Sequence, residues 1–126
     1  MGYLKILLVD DSSTSRMIIK RCFEMAGYFD RTFIEAGDGL EGLSALNEEK
    51  VDLIVSDLKM PRMDGNTFIK KLKRREKTAK IPVVVISSIG NKYEKDKLKA
   101  MNVLGVIEKP LSPEKLINVI GENEDE

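Results

Sequence analysis

Residues 51–65 read Val51-Asp-Leu-Ile-Val-Ser-Asp-Leu-Lys-Met-Pro-Arg-Met-Asp-Gly65, an apolar segment that ends in an acid and continues into a turn. The run from Leu53 to Val55 is typical of a parallel strand whose two faces are both covered. Asp57 follows where that strand ends. Because ligands of open α/β sheets bind outside the carboxyl ends of the strands, Asp57 is a candidate site residue. On this segment alone, a purely structural turn acid ahead of Pro61 and Gly65 is the alternative.

The composition predicts one domain that spans residues 1–126. A chain of 126 residues with 42% hydrophobic content can build a single core and has little room for a second. The 21 basic and 21 acidic side chains cancel, which predicts no general attraction to nucleic acid or to an anionic membrane. The chain shows no charged leader and no apolar run near the roughly 18 residues of a membrane span, so we expect a cytoplasmic protein.

Two residue types limit the chemistry that the chain can perform. Cys22 is the only cysteine, so a disulfide framework is excluded and we expect a buried thiol on a helix. The chain has no histidine, which excludes acid catalysis by histidine and histidine-rich metal sites. Carboxylate, hydroxyl and lysine groups are what the sequence offers.

Hydrophobic periodicity predicts five successive strand–helix units and hence a doubly wound α/β domain with a five-stranded parallel sheet and five helices. The predicted strands are Tyr3–Val9, Arg31–Glu35, the segment ending at Asp57, Pro82–Ile86 and Val103–Glu108. The helices are expected to begin among residues 12–15, at the capping box Asp38–Glu41, after Gly65, near Tyr93 and at Ser112 with Pro113. Gly27 and Gly121 are the predicted ends of the first and last helices, and the acidic tail 122–126 is expected to fray.

Each predicted helix has an apolar face that should contact the sheet. The residues expected to face the core are Met17, Ile18, Ile19, Cys22, Phe23 and Ala26, then Leu40, Leu43 and Leu46, then Phe68, Ile69 and Leu72, and finally Leu116, Ile117 and Ile120. The lysine-rich fourth helix contains Tyr93, Leu98 and Met101. The third helix also carries a basic run from Lys70 to Arg75. Because this run has no interleaved aromatic residues, we interpret it as a solvated helix face rather than a nucleic-acid site.

Chemically capable residues follow four of the five predicted strands. They are Asp10 and Asp11, Asp57, Ser87 with Ser88, and Lys109. In a parallel sheet these strand ends lie at one edge, so we expect three carboxylates, two hydroxyls and one ammonium group in a single crevice. Clustered carboxylates need a counterion, and a set of ligands made only of oxygen predicts a hard cation such as Mg²⁺.

The segments Val9-Asp-Asp11, Asp57–Gly65, Val84-Val-Ile-Ser87 and Glu108-Lys-Pro110 together resemble the receiver domain of two-component response regulators, over nearly the whole chain. The resemblance implies the flavodoxin-like strand order 2-1-3-4-5. It also implies that Asp57 accepts a phosphoryl group from the phosphohistidine of a histidine kinase or phosphotransfer protein.

The same resemblance assigns the remaining site residues. Asp11, Asp57 and the backbone carbonyl of Lys59 would hold Mg²⁺, with Asp10 acting mainly through water. Ser87 would donate its hydroxyl to a phosphoryl oxygen, and Lys109 would neutralise phosphoryl charge. The Ser88 backbone N–H could add a hydrogen bond, although a small residue that leaves the site open is the alternative. The family also suggests a cis peptide bond between Lys109 and Pro110.

Two positions depart from the family's common pattern. Lys59 lies where the family varies, and its side chain is expected to tune the lifetime of the phosphoryl group. Val106 occupies the strand-5 position where many members carry Tyr or Phe as a rotating switch, so the usual aromatic rotor is missing. We therefore expect the signal to pass through the backbone from Ser87 to Lys92, where Ile89 and Gly90 permit rearrangement, and into the following helix.

The sequence thus predicts a stand-alone, monomeric receiver domain that is not an enzyme and whose output is a change in partner binding. Its partners would be a kinase or phosphotransfer protein and a target at the face of helix 4, strand 5 and helix 5, with no nucleic acid and no membrane. A chemotaxis regulator, a phosphorelay intermediate and a kinase modulator all fit. A phosphatase with an aspartyl nucleophile, an FMN binder and a scaffold that takes no phosphate are the alternatives; adjacent acids after strand 1 disfavour the first two.

Overall fold

Five parallel strands form the sheet that carries the polar strand ends. The computed structural model describes residues 3–88 and 92–121. The strands are Lys5–Val9 (β1), Thr32–Ala36 (β2), Leu53–Ser56 (β3), Val83–Ser87 (β4) and Gly105–Glu108 (β5). They lie in the order β2-β1-β3-β4-β5, which confirms the predicted fold class and strand order. β1 and β3 are central neighbours, with Val9 paired to Ser56, so the residues that follow them emerge side by side.

The helices lie between the strands as predicted, and their caps explain where they begin. They are Ser13–Met25 (α1), Gly39–Glu48 (α2), Gly65–Arg74 (α3), Lys92–Ala100 (α4) and Pro113–Leu116 (α5), which continues as a π-helical turn over Ile117–Gly121. Asp38 caps α2 by accepting the Glu41 N–H at 2.9 Å, while the Glu41 carboxylate accepts the N–H of Gly37, also at 2.9 Å. The predicted capping box is therefore present, with its acid bonded one residue ahead of the usual position.

The core has one layer on each face of the sheet. On one face, Phe68, Ile69 and Leu72 of α3 contact the strands together with Leu43 of α2 and Leu98 of α4. On the other face, the buried residues of α1 and α5 are Ile19, Cys22, Phe23, Leu116 and Ile120. Every residue of β3 and β4 is buried, as expected for strands that helices cover on both sides. Cys22 is buried as predicted, and burial raises the pKa of its thiol.

Several residues that were predicted to face the core are exposed instead. They are Met17, Ile18, Leu40 and Ile117. In α2 the buried stripe runs through Gly39, Gly42 and Leu43, because Gly42 lets the Phe68 ring approach to within 3.0 Å of where a Cβ would stand. A prediction from hydrophobic periodicity gives weight to leucine and none to glycine, so it assigned Leu40 to the buried face of α2. In the last helix, Leu116 and Ile120 are buried and Ile117 is exposed at the start of the π-helical turn.

Strand boundaries differ from the predicted ones by one or two residues at several ends. β1 begins at Lys5 rather than Tyr3, because the Asp52 carboxylate accepts the N–H groups of Leu4 and Lys5 at 3.1 and 2.9 Å. β5 begins at Gly105 rather than Val103. The predicted frayed tail 122–126, and Ile89 and Gly90 of the predicted moving loop, lie outside the described residues. Across residues 3–88 and 92–121, no helix is both long enough and apolar enough to cross a membrane.

Candidate functional site

Three carboxylates meet at the carboxyl ends of β1 and β3. Asp10, Asp11 and Asp57 each place one oxygen within 4.8 Å of the others. The Asp57 N–H donates to the Val9 carbonyl at 2.9 Å, which fixes the end of β3 against the end of β1. Asp10 is 2% exposed, whereas Asp11 is exposed to solvent. The cluster that the strand ends predicted is therefore present, and its oxygen ligands suit a hard divalent cation.

Asp10 is held by the start of α1. Its Oδ1 accepts the Ser12 N–H at 2.9 Å, and its Oδ2 accepts the Ser15 hydroxyl at 2.7 Å. The Arg16 guanidinium donates to the Asp10 carbonyl and pairs with Glu35 at 2.8 Å. Asp10 is thus held in place by α1, and it is the most buried of the three carboxylates.

Sequence reasoning treated Ser15 only as one of several possible helix caps, and it did not single out Arg16. Both residues support the acidic cluster, which is a role that helix periodicity cannot reveal. The signal available in the sequence was their position in the first turn after the acid pair, where side chains turn back toward the preceding strand end.

Asp57 is fixed from two sides. Its Oδ1 accepts the Leu58 N–H at 2.7 Å, and its Oδ2 lies 3.3 Å from the Lys109 Nζ. The side chain of Asp57 is 11% exposed, so small molecules and ions can reach it. Lys109 follows β5, and its N–H donates to the Ser87 carbonyl at 2.8 Å. The peptide bond between Lys109 and Pro110 is cis, as predicted.

Gly65 lets the first turn of α3 approach the backbone that carries Asp57. A Cβ at Gly65 would stand 2.3 Å from the Asp57 carbonyl oxygen and 2.8 Å from the Leu58 Cα. The Gly65 N–H donates to the Leu58 carbonyl at 2.8 Å, and Asp64 caps the helix through the Thr67 N–H. Sequence reasoning saw Gly65 only as a turn residue; its close approach to the site backbone emerges from the tertiary structure.

An ion pair anchors the loop between β3 and α3. Asp38 is nearly fully buried, and its carboxylate accepts from Arg62 at 2.6 Å. Burial alone would raise the pKa of Asp38, but the Glu41 N–H and the Arg62 guanidinium outweigh it and lower that pKa. Arg62 adopts a left-handed backbone with φ of 62° and also reaches Glu41 at 3.2 Å. This loop therefore has a defined shape on the α2 side of the site.

The remaining predicted residues differ in their position and in their exposure. Ser87 ends β4 and is 2% exposed, whereas Ser88 is exposed. Lys59 is exposed two residues beyond Asp57. Val106 lies half-buried in β5, paired with Val85, and contacts the core layer of α2, α3 and α4. The strand ends thus bring the three acids, Ser87 and Lys109 to one edge of the sheet, whereas Val106 lies within β5 against the core.

Comparison with known proteins agrees with this arrangement. The sequence model of the response regulator receiver domain matches residues 6–121. The chain is 37% identical over 117 residues to the sensor histidine kinase CheAY of Helicobacter pylori. The matched region covers 91% of this chain and 14% of the kinase. It is 35% identical over 126 residues to chemotaxis protein CheY1 of Helicobacter pylori, covering 96% of this chain and 100% of CheY1. The structure of chemotaxis response regulator CheY4 of Vibrio cholerae superposes with a TM-score of 0.82 at 28% identity, over 95% of this chain and 98% of that one.

The chain belongs to the response regulator receiver family. It is therefore a phosphoacceptor signalling domain and not a conventional enzyme, as the resemblance of its strand ends implied. The three carboxylates can together hold a metal ion.

Proposed function

We propose that Asp57 accepts a phosphoryl group from a phosphohistidine. An Asp57 oxygen attacks phosphorus, the histidine N–P bond breaks, and an acyl phosphate forms on the aspartate. The observation that carries this proposal is the position of the Asp57 carboxylate, with two acids on one side and the Lys109 ammonium 3.3 Å away on the other. Phosphoryl transfer needs positioning and charge neutralisation more than any other help from the protein.

The acidic cluster is the proposed Mg²⁺ site, held by Asp11, Asp57 and the Lys59 carbonyl. Bound Mg²⁺ would neutralise the oxygens of the transferring phosphoryl group. Asp10 would contribute through water, because it is the most buried of the three acids and is held by the Ser12 N–H and the Ser15 hydroxyl. Carboxylates, a backbone carbonyl and waters are the ligands that Mg²⁺ takes in proteins.

The ends of β4 and β5 would hold the phosphoryl group. After transfer, the Lys109 ammonium would pair with the phosphoryl oxygens instead of the Asp57 carboxylate. The Ser87 hydroxyl and the Ser88 N–H would donate hydrogen bonds to the same oxygens. The exposed ammonium of Lys59 would act later, by shielding the acyl phosphate or holding the water that hydrolyses it.

The domain would signal from the cytoplasm as a monomer. The CheY1 likeness, which covers that entire protein, favours a chemotaxis role. A histidine kinase or phosphotransfer protein would supply the phosphoryl group. The target would bind the face of α4, β5 and α5, whose elements expose Tyr93 and Ile117 and are joined by the Lys95–Glu108 ion pair at 3.7 Å. Because Val106 cannot act as a rotor, the signal would pass through residues 87–92 and α4.

Two variants test the site. Asp57→Asn should fold and gain no phosphoryl mass with acetyl phosphate and Mg²⁺, since the amide has no anionic oxygen to attack phosphorus. Intact mass spectrometry measures this, and a phosphoryl adduct on Asp57→Asn would move the acceptor elsewhere.

Asp11→Ala should bind Mg²⁺ much more weakly, because Asp57 alone cannot offset the dehydration of the ion. Unchanged Mg²⁺ affinity would place the metal site outside the cluster.

An aspartyl-nucleophile phosphatase and a scaffold that takes no phosphate are the competing functions. A phosphatase would release phosphate from a phosphoester without Asp57, whereas a scaffold would gain no phosphoryl mass at all. Incubation of the parent protein with acetyl phosphate distinguishes the acceptor from the scaffold, and phosphate release from a phosphoester substrate by Asp57→Asn would identify the phosphatase.

A further inference from the structure

The zero net charge of the chain hides a strong separation of charge. Residues 70–102 contain 11 basic and three acidic side chains, while the rest of the chain contains 10 basic and 18 acidic ones. One part of the molecule therefore carries a net charge of +8 and the remainder −8. A net charge near zero excludes general attraction to polyanions, but it does not exclude a local positive surface.

Four basic residues of this segment border a groove between α3 and α4, which we call the basic groove. Lys70, Lys73 and Arg74 border a cavity of about 470 Å³ together with Ala79 and Met101. A second cavity of about 440 Å³ shares Lys73 and Ala79 and extends past Lys80 toward Val103. The groove therefore combines a cationic rim with a floor that contains apolar side chains.

The cations of the basic groove lack carboxylate partners within the part of the chain that the structure describes. No basic residue from Lys70 to Lys80 forms an ion pair with another described residue, and the Lys73 ammonium meets only the Ala79 carbonyl, at 3.4 Å. Partial burial lowers the pKa of Lys73, so its charge is costly without a partner. These positive charges would gain from an anion that enters the groove.

Acids elsewhere in the fold pair locally. Glu35 pairs with Arg16 and Lys20, Glu49 pairs with Lys5, and Asp38 pairs with Arg62. The basic side chains that border the groove have no such partners among the described residues, so their positive charge is not offset locally. An external acidic partner is the complement that this surface favours.

We infer that the basic groove binds an acidic amphipathic segment of a partner protein. The partner's carboxylates pair with the lysine and arginine rim, and its apolar side chains rest on Met101 and Ala79. This function is separate from phosphoryl transfer, because the groove contains none of the residues of the acidic cluster. A nucleic-acid backbone fits less well, since phosphates gain nothing from an apolar floor and the groove lining has no aromatic side chain for base stacking.

Fluorescence anisotropy with synthetic probes tests the inference on the full chain. The probe is a labelled helical peptide with glutamate on one face and leucine on the other, compared with an all-glutamate peptide, a glutamine–leucine peptide and an oligothymidylate. The glutamate–leucine peptide should bind most tightly and should weaken as salt rises. Tighter binding of the oligothymidylate, or equal binding of the all-glutamate peptide, would overturn the proposed partner chemistry.

Two variants of equal charge identify the surface. Lys73→Gln combined with Arg74→Gln should weaken probe binding roughly tenfold, which corresponds to two partly screened ion pairs. Arg21→Gln combined with Lys50→Gln removes the same charge from exposed positions elsewhere and should leave the affinity unchanged. Equal weakening by both pairs would show that only net charge matters and would refute the groove as the site.

A truncation separates an external partner from the chain's own acidic tail. Removal of residues 122–126, which include four carboxylates, should leave probe affinity unchanged. A roughly tenfold gain in affinity on truncation would identify the tail as the occupant of the basic groove and overturn the inference of an external partner. Phosphoryl uptake by Asp57, measured on each variant by intact mass, reports independently on the proposed acceptor function.

Discussion

Replacing Gly65 by alanine adds one methyl group where α3 meets the site backbone. Helix propensity alone would favour the change, because alanine exceeds glycine by up to about 1 kcal/mol inside a helix and by less at its first position. Steric contact opposes it, since the new Cβ would stand 2.3 Å from the Asp57 carbonyl oxygen and 2.8 Å from the Leu58 Cα. Both obstacles are backbone atoms, so no side chain can simply rotate away.

The size of the clash indicates which effect is larger. Relief to an ordinary contact requires about 1 Å of movement between α3 and the loop, and overpacking of this kind costs about 1–3 kcal/mol. We therefore expect Gly65→Ala to lower the free energy of unfolding by about 1–2 kcal/mol. A displacement of about 1 Å at a reacting group can cost roughly 100-fold in rate, so phosphoryl uptake at Asp57 should fall by one to two orders of magnitude.

Urea unfolding and the rate of phosphoryl gain from acetyl phosphate measure the two effects. Gly37→Ala is the matched control, because its Cβ would meet only the flexible Glu41 carboxylate at 3.4 Å. The control should retain both stability and uptake. Wild-type stability and uptake in Gly65→Ala would refute the argument that this glycine positions Asp57.

Three further predictions concern the surroundings of the site. Lys59→Ala should change the rate of dephosphorylation more than the rate of uptake, and equal decay of variant and parent would remove Lys59 from the mechanism. Because its pKa is lowered, ionised Asp38 stabilises the fold above the ordinary aspartate range, and this contribution is lost as falling pH protonates the carboxylate. The difference in free energy of unfolding between the parent and Arg62→Ala, measured with urea, should therefore shrink below about pH 4, and a constant difference would contradict this. Beryllofluoride should shift amide resonances across residues 87–101 and leave the Val106 side chain nearly fixed, whereas shifts confined to the acidic cluster would refute that route.

Sequence patterns predicted the sheet and its polar edge well because both depend on local chemistry. Buried parallel strands are nearly all apolar, and the acid, hydroxyl and lysine residues stand directly after them, so adjacency in the chain becomes adjacency in space. Helix faces were predicted less well, since the buried stripe of α2 uses Gly42 against Phe68 and exposes Leu40. The support of Asp10 by Ser15 depends on how α1 turns back onto the strand end, which no periodicity records.

The structure also bears on how a domain without an aromatic rotor can transmit a change from its site. Ser87 and Lys109 are the proposed phosphoryl ligands on neighbouring strands, and the Lys109 N–H donates to the Ser87 carbonyl at 2.8 Å. From there, Lys115 of α5 donates to the carbonyls of Glu108 and Pro110 at 3.1 and 2.9 Å. A shift of the β4 end would therefore reach the β5 end through a backbone hydrogen bond and the start of α5 through the Lys115 ammonium, without any rotation at Val106. A coupling of about 1–3 kcal/mol is typical of such transitions and requires only a small preference of the phosphoryl group for one arrangement of these contacts.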